Sequence, residues 1–111
     1  MIGGLIQRMF GGGDMNASVD DLRKAVSTGN CTIVDVRETG EFAAGHVPGA
    51  INVPLSRFDA ALLPSSKPVI LMCQAGGRSL RALGACSGRG DVRHFPGGMA
   101  GWRAAGGAVA T

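Results

Sequence analysis

Six consecutive residues, Cys73 to Arg78, place a thiol, two adjacent glycines and a guanidinium in one short stretch of a 111-residue chain, with Ser79 next in line. A cysteine so placed suits nucleophilic chemistry, because the thiolate is the reactive form and its neighbours decide how much of it exists. A free thiol titrates near 8.5, whereas a helix N-terminus and a nearby cation lower that to roughly 3.5 to 7.5. Gly76 and Gly77 lack a Cβ, so the loop can take positive φ and curl its N–H groups inward round a sulfur or an anion carried on it. Two reactions fit: attack on sulfane sulfur to give a persulfide, and attack on phosphate to give a thiophosphate ester.

The elements that must hold this loop can be read on either side. Val69 to Met72 is an apolar run after Pro68, short enough to be a strand buried on both faces. Leu80 and Leu83 recur at helical spacing, which predicts a helix starting near Arg78 or Ser79. Cys73 thus falls just past the carboxyl end of a strand, the edge of an α/β sheet where ligands bind, facing the N–H groups of the following helix.

These residues resemble the active-site loop of the rhodanese (sulfurtransferase) family. The stretch Ile33 to Pro54, IVDVRETGEFAAGHVPGAINVP, is similar to that family's first signature, and Phe95 to Val109, FPGGMAGWRAAGGAV, to its last. The resemblance implies a three-layer α/β fold, a central, mostly parallel five-stranded sheet with helices on both faces, over residues 14 to 111. It implies Cys73 as nucleophile, with Gln74, Ala75, Gly76, Gly77, Arg78 and Ser79 as the substrate-binding loop. By the same resemblance, cysteine phosphatases have five residues between cysteine and arginine, against four here. The shorter loop favours a cradle for one extra sulfur atom over one for a tetrahedral oxyanion. By resemblance, mercaptopyruvate-type enzymes end this loop in a small or hydroxylated residue, so Arg78 implies thiosulfate as the donor. Its side chain would hold the donor, orient the loop or form a salt bridge. The expected function is transfer of sulfane sulfur from thiosulfate or a related donor, through a Cys73 persulfide, to cyanide, a thiol or a sulfur-carrier protein. Phosphatase or arsenate reductase activity, and a relay or binding module with little turnover, are the alternatives.

Composition bounds these readings. The chain has room for one domain, and 45% hydrophobic with 17% charged residues is globular. A net charge of +3 without clustered lysines and aromatics gives no nucleic-acid surface. Three cysteines, at 31, 73 and 86, make neither a disulfide framework nor a metal site, so no metal and no cofactor are expected. Cys31 and Cys86 read as buried packing residues. Reduced cysteines and the lack of a membrane-spanning stretch predict a cytoplasmic protein.

Along the chain, Ile2, Leu5, Ile6, Met9 and Phe10 form an apolar stripe that Gly11 to Gly13 break, so residues 1 to 13 read as a tail or tether. Ser18 and Asp21 have capping-box spacing before a helix ended by Gly29. Thr32 to Val36 is a strand, and Asp35 and Arg37 near its end read as an ion pair fixing strand to loop or as support for the site. Glu38 to Ala44 predicts a helix closed by Gly45, and His46 a structural hydrogen bond. Ile51 to Val53 predicts a strand, Phe58, Leu62 and Leu63 a helix ending before Pro64, Val92 to Phe95 the last strand, and Met99 to Ala105 the last helix.

Overall fold

The computed structural model describes residues 15–111; the tail assigned to residues 1 to 13 lies outside them. Four parallel strands, β1 (Thr32–Asp35), β2 (Ile51–Asn52), β3 (Val69–Met72) and β4 (Val92–His94), form one sheet in the order β2-β1-β3-β4. The helices are α1 (Val19–Thr28), α2 (Thr39–Ala44), α3 (Gly77–Gly84) and α4 (Gly98–Ala104). Register aligns Asp35 with Met72, so the ends of β1 and β3 lie side by side and Cys73 projects from the same edge as Val36.

Period-two alternation in buried strands sends neighbouring side chains to opposite faces. Ile33, Ile70 and Met72 pack on one face with Leu22, Phe95, Met99 and Trp102, beneath α1 and α4. Val34, Val36, Val69, Leu71 and Val92 pack on the other with Ala82 and Cys86 from and just beyond α3. Both faces of the sheet are therefore covered, giving three layers. Trp102 is a core residue whose Nε1–H donates to the Ala108 carbonyl at 2.7 Å.

Several expectations need correction. The described residues hold four strands, not five. The fifth place, outside β4, is taken by a single bridge between Asn16 and His94, where the Ala17 N–H donates to the His94 carbonyl at 2.8 Å and the His94 N–H to the Met15 carbonyl at 2.9 Å. Ser18 ends the pairing by turning the chain into α1, whose capping box it forms with Asp21 at 2.8 and 3.0 Å. The helix expected from Phe58 to Leu63 is instead two 3-10 turns, Leu55–Arg57 and Ala60–Leu62. Phe58 and Asp59 between them are extended, and the Asp59 carboxylate accepts the Ala61 N–H, starting the second turn afresh. Leu80 faces solvent, 57% exposed, because α3 turns Ser79 and Ala82 to the sheet. Cys86 is buried as expected, but Cys31 is only partly so.

Candidate active site

Cys73 leaves β3 at 1% exposure, yet its sulfur meets polar groups. The Gly76 N–H donates to Sγ at 3.1 Å and the Ser79 N–H at 3.3 Å, while the Ser79 hydroxyl lies 3.6 Å away. Helix α3 explains this. Its N-cap, Gly76, has no side chain to accept the free N–H groups of the first turn, and the cysteine sulfur takes that place for Ser79, the third helical residue. A negative charge on the sulfur is then stabilised by those hydrogen bonds and by the helix dipole. Burial pushes the Cys73 thiol up, and hydrogen bonds from the Ser79 hydroxyl and from the Ser79, Ala75 and Gly76 amides outweigh it, holding the thiol below its ordinary value. Burial pushes the Cys86 thiol up, and the charge of Arg89 offsets only part of that.

The loop is fixed from below by the closing segment. Phe95 N–H pairs with the Leu71 carbonyl, and the second and third amides of α4, Met99 and Ala100, donate to the carbonyls of Cys73 and Gln74 at 2.8 and 3.2 Å. Gly98, at φ +61°, brings its backbone so close that a Cβ there would overlap the Gln74 carbonyl. Gly76 has φ +98°, and a Cβ on it would lie 2.5 Å from the Pro96 oxygen. Gln74 and Ala75 form the solvent-facing side of the loop over the sulfur.

Of the predicted residues, Gly76 and Ser79 hydrogen-bond to Cys73 Sγ, and Gln74, Ala75 and Gly77 lie exposed in the same loop. Arg78 does not reach in: its guanidinium forks onto Glu41 of α2 at 2.7 and 3.0 Å. The same hydrogen bonding holds the Glu41 carboxyl down to about 2. Asp35 and Arg37 form a buried pair at 2.8 Å, and Arg37 also donates to the Gly45 carbonyl at 2.7 Å, tying β1 to the end of α2. The Asp35–Arg37 pair is thus a strand-to-loop clasp beside the site. His46 stacks on Phe42 and its Nδ1 lies 2.8 Å from the Phe42 carbonyl.

Two neighbours of the loop escape sequence reasoning, Glu41 and His94. Glu41 sits 37 residues from Arg78, and His94, whose Nδ1 is 2.9 Å from Ser79 Oγ, sits 15 residues from that serine. The last strand reads Val92-Arg93-His94, so a polar residue at its end does not stand out in the sequence. A cleft of about 230 Å³ opens at the opposite, amino end of β1, lined by Cys31, Lys67 and Pro48 among others. It shares no residue with the Cys73 loop. Among the described residues, no three His, Cys, Asp or Glu side chains gather as metal ligands, and no helix is long and apolar enough to cross a membrane.

Residues 18–105 match the model of the rhodanese-like domain. The chain is 31% identical over 108 residues to the human thiosulfate:glutathione sulfurtransferase, covering 81% of this chain and 94% of that protein. A Synechocystis protein is 38% identical over 78 residues, which cover 67% of this chain and 44% of that one. The crystal structure of a rhodanese-related protein from Thermoplasma volcanium superposes with a TM-score of 0.75 at 28% identity, covering 86% of this chain and 96% of that one.

Proposed function

The chain belongs to the family of rhodanese-like domains, and from that premise we propose that it is a sulfurtransferase using thiosulfate as donor and Cys73 as the sulfur carrier. The Cys73 thiolate attacks the outer sulfur of thiosulfate; a sulfur–sulfur bond forms at Sγ as the bond to the sulfonate sulfur breaks, and sulfite leaves with that electron pair. A thiolate or cyanide then attacks the outer sulfur of the persulfide, and Cys73 departs as the thiolate again. Both halves pass negative charge through one place. The observation that carries the reading is the convergence of the Gly76 and Ser79 amides on Sγ at the start of α3.

The likeness to a thiosulfate:glutathione enzyme supports a small thiol such as glutathione as acceptor. The four-residue span between Cys73 and Arg78 supports sulfur over phosphate as cargo. So does Glu41, which already occupies the guanidinium that a phosphate would need. Three free cysteines suit a reducing, cytoplasmic setting. Serine substitution at each cysteine in turn tests the assignment, assayed as thiosulfate-dependent sulfur transfer to glutathione and to cyanide. Cys73→Ser abolishes both transfers, while Cys31→Ser and Cys86→Ser retain them. Transfer that survives Cys73→Ser, or turnover of an aryl phosphate or arsenate in place of thiosulfate, overturns the reading.

A further inference from the structure

A buried imidazole stands one hydroxyl away from the reactive sulfur. His94, at the end of β4, is 5% exposed, and its Nδ1 lies 2.9 Å from Ser79 Oγ. The same oxygen lies 3.6 Å from Cys73 Sγ and 3.2 Å from the Gly76 carbonyl oxygen. A serine hydroxyl has one proton to donate and two lone pairs with which to accept. Of its three neighbours, the histidine decides the outcome. A bare Nδ1, being the nearest acceptor, would take the proton and leave the sulfur without it. An Nδ1 bearing hydrogen donates to Oγ and leaves the serine proton to turn between the Gly76 carbonyl and Sγ.

We propose that His94 is a positioning residue: with its proton on Nδ1 it directs the Ser79 hydroxyl to Cys73 Sγ and so sets how readily the thiolate forms. This rests on the reading of Cys73 as the nucleophile. In the thiol state the hydroxyl points to the Gly76 carbonyl, which also accepts the Leu80 N–H at 3.1 Å. In the thiolate state it rotates to the anion, where the bond is charge-assisted and roughly twice as strong. No proton changes owner when the hydroxyl turns. Burial holds the His94 imidazole below its ordinary value, which favours the neutral ring with a single N–H.

The charged groups around this network are already matched. Arg78 of α3 pairs with Glu41 of α2, Arg37 with Asp35 beside β1, and Arg93 of β4 with Asp21 of α1. With these guanidiniums and carboxylates in pairs, the sulfur's titration reads chiefly the hydrogen bonds made to it.

The test is the ultraviolet thiolate absorbance of Cys73 against pH, in a Cys31→Ser, Cys86→Ser background so that one thiol titrates. Ser79→Ala, His94→Leu and the two together are compared, with single-turnover sulfur uptake from thiosulfate followed in parallel. His94→Leu is expected to lower the thiolate fraction on the acid side of the transition about tenfold, a shift of roughly one unit, from loss of one charge-assisted bond. Ser79→Ala shifts it by a similar amount, and the double variant no further than either, because both remove the same proton from the sulfur. His94→Asn, whose amide N–H can stand where Nδ1–H stood, restores most of the effect, whereas His94→Gln does not. A His94→Leu titration at the wild-type position, or one whose shift adds in full to that of Ser79→Ala, overturns the proposal. Should His94→Leu fail to fold, the Asn and Gln variants decide: identical titrations for the two contradict the proposal. Sulfur transfer that persists in Cys73→Ser would sink the functional reading instead, and the titration coupling would be judged separately.

Discussion

Replacing Gly76 by alanine attacks the cradle at its tightest point. The residue sits at φ +98° and ψ −19°, and the added methyl would lie 2.5 Å from the Pro96 carbonyl oxygen. That oxygen belongs to backbone held by the Phe95–Leu71 and Met99–Cys73 hydrogen bonds, so it cannot move aside cheaply. A non-glycine residue in the left-handed region costs ~1–2 kcal/mol, and forcing a methyl into packed surroundings adds ~1–3 kcal/mol. The sum, about 2–5 kcal/mol, is a large share of the roughly 5–15 kcal/mol that holds a domain folded, and lowers Tm by about 10 °C or more. The sulfur pays separately. Displacing the Gly76 N–H from Sγ removes a charge-assisted bond worth ~1.5–3 kcal/mol, which raises the Cys73 thiol by roughly one to two units. Thermal unfolding reads the first effect, and the pH dependence of iodoacetamide alkylation at residue 73 reads the second. Gly77→Ala is the internal control: nothing lies within 4 Å of its would-be Cβ and its φ is not positive, so it should gain up to ~1 kcal/mol and leave the thiol alone. Wild-type stability and titration in Gly76→Ala, or equal losses at the two glycines, would refute the reasoning.

Arg37→Met strands the Asp35 carboxylate, which is wholly buried, and is expected to cost ~3–5 kcal/mol in urea unfolding; adding Asp35→Leu should recover part of that loss. Glu41→Gln loosens the fork on Arg78 and leaves its charge for an anionic donor, so KM for thiosulfate falls roughly two- to fivefold with kcat held, and a rise in KM would count against it. Because the Cys73 thiol is lowered in the fold, its ionisation favours folding in full above the unfolded thiol value, and the benefit is lost as pH falls through the folded one. The stability gap between wild type and Cys73→Ala should therefore widen as pH rises between those two values. Alkylation follows the same order: Cys73 reacts at lower pH than Cys86, which burial pushes above its ordinary value.

The setting of Cys73 is legible in the sequence because it is local. Cys73, Gly76 and Ser79 lie within one strand-loop-helix unit, and a sulfur that caps a helix needs only the right short spacing. Asp35 and Arg37, two residues apart, are local in the same sense. What pairs across the fold is not. The Arg78–Glu41 fork and the Ser79–His94 contact depend on how α2 and β4 are brought to α3, which the sheet order β2-β1-β3-β4 decides. The misread elements have equally physical causes. Phe58, Leu62 and Leu63 have apolar spacing that suits a helix, but Asp59 caps a new turn in the middle of it. Leu80 has helical spacing too, yet the helix is rotated by the demand that Ser79 face the sulfur, which leaves the leucine outside.

The central claim is that Cys73 accepts and holds a single sulfur atom. Intact-mass measurement of the full chain after incubation with thiosulfate, followed by peptide mapping under non-reducing conditions, addresses it most directly. The account predicts a gain of one sulfur atom located at residue 73 and discharged by glutathione. An unchanged mass, or the added sulfur on Cys31 or Cys86, would contradict it.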